Sequence, residues 1–373
     1  MSLWACGSNA HGQLASGSQD DAHVPVLCIF ASSSSSPSPL SDDWPIAIAG
    51  GANHTVLATA AGVVYSAGHN SAGQLGLPNV DIDHTAFSQV APDFLPAALS
   101  VACGWDHTVV LTRTGTVWLF GSNSHGQLGI PAVTSQTPMP TLVAGLKDVS
   151  AISCGLRSTI AVTRSGAVYA WGSNRHGELI ASGPTNIDTP TLVTDLPAPV
   201  RSVACGFSHV VYVLTDGRVE TRGRNRHGQL GGAGLTVADP AAAACFSGWS
   251  FSGAVNTEKG SVHTWGRNDH GQLAHGGEAA SAAGAPALSV LPPMRQIACG
   301  SEHALGVTAD GSTCLAWGWN EHGNCGVGHT EDVLVPQKVM LNREGSKQSG
   351  TDGEVVMVGC GYGHSLLFTC DRP

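Results

Sequence analysis

The side chains in this sequence best suited to chemistry are its 17 histidines and 11 cysteines, the residues of metal centres, acid–base relays and thiol nucleophiles. Their spacing argues against all three. No two cysteines stand at C-x-x-C spacing; instead Cys103, Cys154, Cys205, Cys299 and Cys360 each precede a glycine in copies of one short motif. A small, weakly polar residue repeated at one strand end reads as a buried structural thiol. The histidines recur at two positions. His11, His125, His176, His227, His270 and His322 precede a glycine of one motif, and His54, His107, His209, His303 and His364 occupy the other. Residues dispersed one per repeat around a ring do not converge on one ion. Neither a metal nor another cofactor is therefore expected, and the histidines are expected to bond loop backbone. No nucleophile–base pair assembles from these motifs, and the glycines lack the G-x-G-x-x-G pattern of a phosphate-binding strand–helix junction. The chain reads as a non-enzyme.

What remains is recognition. Large or charged side chains vary where the repeats otherwise agree: Arg175, Arg224, Arg226 and Arg267, then Trp319 and Glu321, in one set of loops; Trp105, Phe207, Trp249, Phe251 and Tyr362 in the other. Interface centres favour Trp, Tyr and Arg, and loops on a rigid scaffold commonly carry function. The fifth repeat departs furthest from its neighbours, and its Trp249 and Phe251 are expected to dock an acidic partner with the arginines steering it. Trp118, Trp171, Trp265 and Trp317 fall on repeat strands and are expected in the core.

Two motifs position these residues. The first, G-x-N-x-x-G-[QE]-L, starts at Gly7, Gly68, Gly121, Gly172, Gly223, Gly266 and Gly318, mostly about fifty residues apart, a period of propeller-type repeats. The second runs Cys103-Gly104-Trp105-Asp106-His107-Thr108 into an apolar strand, with copies at Gly50, Cys154, Cys205, Cys299 and Cys360. A turn glycine follows (Gly62, Gly115, Gly166, Gly217, Gly311), then another strand, which reads as a β-hairpin. In an antiparallel unit of this kind the C-G loop and the G-x-N loop share one end and the hairpin glycines the other. The chain begins on the second strand of a unit and ends on the first, so the two halves complete one blade. The expected fold is all-β, a single seven-bladed propeller over residues 1–373, closed by pairing of its N- and C-terminal strands. Insertions at 31–43 and 343–354 are expected to be mobile loops, and 276–286 is hard to assign.

Formal net charge is −10, which disfavours nucleic acid or a membrane surface as a broad partner. No basic start with an apolar core marks a signal peptide, and no run spans a bilayer, so the cytosol or nucleus is the expected location.

Together the two motifs resemble the regulator-of-chromosome-condensation repeat, over nearly the whole chain, and that resemblance implies the same seven-bladed propeller. The stretch Trp317-Gly318-Trp319-Asn320-Glu321-His322-Gly323-Asn324-Cys325-Gly326 resembles the last full motif of a fungal branch of that family and its animal counterpart. The resemblance implies a heterodimer with a small CSL-type zinc- or iron-binding protein, supporting diphthamide synthesis and Elongator-dependent modification of the tRNA wobble uridine. The alternative, also implied by the family, is guanine-nucleotide exchange on a small GTPase. The founding member has a basic N-terminal tail that is missing here. A photoreceptor role would need clustered Trp in the C-G loops, where only Trp105 follows the usual C-G.

Overall fold

The computed structural model describes residues 1–31, 39–130, 135–232, 244–256, 259–276, 286–341 and 354–370. They form seven antiparallel sheets arranged as the blades of a propeller. The two strands read from each repeat are the middle of a blade. An inner strand precedes them (Pro45–Gly50, Ala98–Cys103, Val149–Cys154, Val200–Cys205, Ala244–Ser247, Met294–Cys299, Glu354–Cys360). Outer strands such as His84–Gln89 and Val333–Lys338 follow the G-x-N loops. Six blades have four strands and the fourth has three among the described residues. Inner and outer strands escaped the motif reading because, after one buried first residue, their side chains are half-buried or exposed, as in Met294–Cys299 and Val333–Lys338, and give no apolar run.

Closure takes the expected route. The sheet of the seventh blade places Ala22–Leu27 and Ser2–Gly7 from the N-terminus beside His364–Cys370 and Glu354–Cys360 from the C-terminus. Ser2–Gly7 pairs with His364–Cys370 over six residues, Ser2 opposite Thr369 through Gly7 opposite His364. Trp4, 7% exposed, donates its Nε1–H to Thr369 Oγ1 at 3.1 Å across that seam.

Adjacent blades pack through the faces of their sheets, and Trp171, Trp265 and Trp317 are fully buried there. Each indole N–H donates to a main-chain carbonyl of the preceding blade, Gln127, Gln229 and Gln272 respectively, at 2.9–3.0 Å. Trp118 is a correction: it is half-buried, and Phe120 fills the position equivalent to Trp171. Trp118 shares the face of Phe120 but stands two residues earlier, at the strand position that Tyr65, Tyr169 and Leu315 fill, each half-buried, in other blades.

A second inter-blade bond is written into the His-Thr pairs. His54 Nε2 meets Thr108 Oγ1, His107 meets Thr159, His209 meets Ser252, His303 meets Ser365, and His364 returns to Thr55, at 2.8–3.1 Å. The hydroxyls pass their protons to carbonyls of the preceding G-x-N loop, as Thr108 does to Gln74 at 2.7 Å. Two repeats lack the histidine, carrying Ser158 and Phe251. In each case the next blade lacks the hydroxyl, carrying Val210 and Ala304. Donor and acceptor are lost together, which avoids a buried polar group without a partner.

The insertion read as a mobile loop at 31–43 is anchored at its far end. Leu40 is 1% exposed in a core with Leu3 and Phe87, and Asp43 accepts bonds from Thr59 Oγ1 and the Ala61 amide. Residues 32–38, 277–285 and 342–353, covering most of the three insertions, lie outside the described residues.

Candidate functional site

The loop face is set by backbone hydrogen bonds. In all seven blades the residue after the first motif glycine donates its amide to a carbonyl of the C-G loop: Ser8 to Gly363, His69 to Asn53, Ser122 to Asp106, Ser173 to Arg157, Arg224 to Ser208, Arg267 to Ser250 and Trp319 to Glu302, at 2.7–2.9 Å. The two loops therefore share one end of each blade, as their order along the chain requires. Glycine is needed there: at Gly121, with φ of 108°, a Cβ would stand 2.4 Å from the Asp106 carbonyl oxygen.

The C-G loops also bond to one another around the axis. Ala52 donates to Trp105 and Trp105 to Leu156; Trp249 donates to Ser301, Ser301 to Tyr362 and Tyr362 to Gly51. This brings together aromatic residues from four blades. Trp249 stacks on Trp105 at 6.1 Å between centroids and meets Phe207 and Tyr362 edge-on at 5.2 and 5.5 Å, while Tyr362 and Trp105 are 5.4 Å apart. All four are half-buried, so the cluster caps the axis and keeps an exposed surface. Beneath it lies a cavity of about 220 Å³ walled by Cys103, Cys154, Cys205, Cys299 and Cys360. Their thiols are structural. Cys103 and Cys360 donate to the Ala49 and Ala298 carbonyls, and burial pushes the Cys103, Cys205 and Cys360 thiols up to about 12. Burial of this kind favours the neutral thiol over the thiolate.

Phe251 does not belong to this surface. It is fully buried, and its main-chain carbonyl accepts from Gly248 at 3.1 Å, as that of His209 accepts from Gly206 at 2.8 Å. The loop Ser247-Gly248-Trp249-Ser250-Phe251 is therefore regular, with Phe251 in the histidine position and Trp249 in the place of Phe207. The fifth repeat reads as degenerate only because two side chains are exchanged.

Arg267 is a further correction. Its guanidinium pairs with Asp269 at 2.5 Å and Glu302 at 3.3 Å, so its charge is answered within the chain and does not steer a partner. Arg175 and Arg226 are exposed and Arg224 half-buried, and none makes an ion pair among the described residues. Arg175 lines a hollow of about 140 Å³ with Arg157, Glu178 and Phe207, at the edge of the aromatic cap. The amide of Arg224 is tied to Ser208 on the same hollow. Sequence reasoning missed Glu178. It stands where five of the other six motif copies carry Gln and the last carries Asn324, and it is 5% exposed. It accepts the His176 amide at 2.7 Å, and burial holds its carboxyl above the usual carboxylate range. Its substitution for Gln was the available signal. Trp319 is half-buried, edge-on to His322 at 5.5 Å, and Glu321 beside it is exposed. A Cβ added at Gly363, next to Tyr362, would meet the Trp319 ring at 3.8 Å, so Trp319 continues the cap outward along one side.

The motif histidines do more than bond backbone. His11, His270 and His322 each reach a carboxylate of the next blade, Asp83, Asp332 and Asp21, at 2.7–2.9 Å. Among the described residues, the premise that repeat histidines stay dispersed fails at one place, where His11, His69 and Asp83 converge with ligand atoms all within 4.8 Å.

Comparison with known proteins adds the lineage. The family model described as RCC1-like domain matches residues 2–367. The mouse protein named secretion-regulating guanine nucleotide exchange factor is 32% identical across 100% of this chain and 84% of its own length; the bovine protein of that name is 34% identical, across 100% and 83%. Among solved structures, yeast RCC1 (Prp20) bound to Kap60 superimposes with a TM-score of 0.84 at 19% identity, covering 100% of this chain and 89% of that one.

Proposed function

This chain belongs to the RCC1-like domain family, and from that premise we propose that it is an interaction propeller acting as a guanine-nucleotide exchange factor for a small GTPase. The observation that carries this reading is the whole-length kinship to two proteins named as secretion-regulating exchange factors. Exchange asks for no acid, base or nucleophile. It requires tighter binding to the nucleotide-free GTPase than to the nucleotide-bound one, because linkage then obliges the partner to hold its nucleotide more weakly. A rigid loop face with half-buried aromatics at its centre and arginines beside them supplies such a surface. The test is release of a fluorescent guanine nucleotide from a panel of purified small GTPases. One GTPase should discharge faster as the propeller is added; unchanged rates across the panel would sink the reading.

A second reading is favoured by Trp319 and Glu321, which lie on the loop face within the stretch that resembles the fungal branch. There the propeller pairs with a small CSL-type zinc- or iron-binding protein and serves diphthamide synthesis and Elongator-dependent tRNA modification. Affinity capture separates the two. A partner lost on adding guanine nucleotide supports exchange; a small metal-binding protein held regardless of nucleotide supports the heterodimer.

A further inference from the structure

The carboxylate–histidine brackets between blades follow a rule with one exception. Asp21 and Asp332 each use one oxygen to accept from a histidine of the preceding blade, His322 or His270. With the other oxygen they accept the backbone N–H of the motif asparagine in their own blade, Asn9 at 2.7 Å or Asn320 at 3.2 Å. Asp83 keeps the first bond, to His11 Nδ1 at 2.9 Å, but its second oxygen goes to His69 Nδ1, also at 2.9 Å. His69 stands where the other copies carry Ser, Arg or Trp (Ser8, Ser122, Ser173, Arg224, Arg267, Trp319). The His11 and His69 rings are 4.2 Å apart between centroids.

We propose that His11, His69 and Asp83 form a binding site for a divalent transition-metal ion, Zn2+ by donor chemistry, that clasps the seventh blade to the first. The donor set is two imidazole nitrogens and a carboxylate oxygen, which suits zinc and disfavours Ca2+ and Mg2+, whose sites are built from oxygen. All three ligand atoms already lie within 4.8 Å of one another. In a tetrahedral zinc site with bonds of about 2.0–2.2 Å the ligand atoms stand about 3.3–3.5 Å apart; the two 2.9 Å contacts use different oxygens of Asp83, so metal binding turns the carboxylate to present one oxygen and brings the two ring nitrogens to that spacing. The three side chains are 25–33% exposed, which leaves the ion a path in and a water position for its fourth ligand.

The proton balance closes without a further reactant. In the hydrogen-bonded state each imidazole donates from Nδ1 to Asp83, and His69 Nε2 accepts from Ser71 Oγ at 2.6 Å. With metal at Nδ1, each neutral ring moves its proton to Nε2, and the His69 Nε2–H then donates to the Ser71 oxygen. Ser71 thereby orients the ring in both states, as outer-shell partners of zinc histidines do.

The experiment uses the untagged full chain, stripped with a chelator and titrated with Zn2+ by calorimetry, then with Co2+ by visible absorption. The parent should bind one ion per chain and melt at higher temperature with Zn2+ present. His69→Ser, which restores the residue of three other repeats and leaves the His11–Asp83 bond, should bind more than about ten-fold more weakly, a loss that removing an outer-shell partner alone can already cause. His69→Gln serves as a second variant should the first unfold. Asp332→Asn, which alters an ordinary bracket, should bind as the parent does. Zinc binding well below one per chain overturns the proposal. So does equal affinity in both His69 variants, or the intense near-ultraviolet cobalt band of thiolate ligation.

Discussion

At the scale of single residues, the sequence places a polar relay inside the ring and tunes it for neutrality. Burial lowers His54 and His364 to about 3 and His107, His209 and His303 to about 4, from an ordinary 6.5. A histidine whose folded value is depressed binds fewer protons folded than unfolded. Its stabilising contribution is whole above about pH 6.5 and is lost as pH falls from there towards 4 and 3. Five such groups should make urea midpoints fall steeply between pH 6.5 and 4. The repeats also supply a variant that tests the relay, because they pair Phe251 with Ala304 and Ser158 with Val210. His107→Phe alone leaves the buried Thr159 hydroxyl without its ring partner and should cost about 1–3 kcal/mol in urea unfolding at pH 7.5. Adding Thr159→Val should recover part of that loss, and both variants, lacking the His107 ring, should show a flatter acid slope than the parent. A double variant with an unchanged pH profile would remove the relay from the account.

Among the elements, the strand Ser2–Gly7 carries more than its length suggests. It is interior to the seventh sheet, hydrogen-bonded on one side to Ala22–Leu27 and on the other to His364–Cys370. Removing Met1 to Gly7 opens the ring and exposes the edge of His364–Cys370, so calorimetry should show loss of the single cooperative transition and not a frayed end. A milder probe is Trp4→Ala. Emptying that 7%-exposed site should lower stability by roughly 3–5 kcal/mol. Melting of the truncation at the parent temperature would contradict closure as the source of cooperativity.

Over the whole molecule, the loop face is a central aromatic cap with a charged flank. The cap comes from C-G loops of different blades, Trp105, Phe207, Trp249 and Tyr362, and the flank from Arg157, Arg175 and Glu178, with the backbone of Arg224 tied to Ser208 beside them. Once a partner is in hand, Trp249→Ala should weaken binding by about 2 kcal/mol or more, roughly thirty-fold, mainly through faster dissociation. Arg224→Glu with Arg226→Glu should slow association and change its salt dependence. Trp319→Ala reports whether the contact extends outward towards Glu321. If all three remain folded and bind as the parent does by calorimetry, the partner sits on another face.

The sequence by itself determined the blade number, the shared end of the two loop sets and the closure by both termini. Each rests on a pattern of strands and turn glycines that strand direction and ring geometry turn into one answer. It also supplied Trp105, Trp249 and Tyr362 as large side chains in loops. Tertiary structure alone decided which of the candidates belong together. Trp249 and Trp105 are 144 positions apart in the chain and touch only because the C-G loops converge on the axis. Phe251, read as an exposed anchor, is core because hydrogen-bond register puts it in a histidine's place; Arg267, read as a free cation, is neutralised by Glu302 from the next blade. His69, which the motif reading passed over, meets His11 and Asp83 only where the seventh blade packs against the first. Contacts between blades depend on which residues face each other across a seam, and a repeat pattern specifies the seam without specifying what meets there.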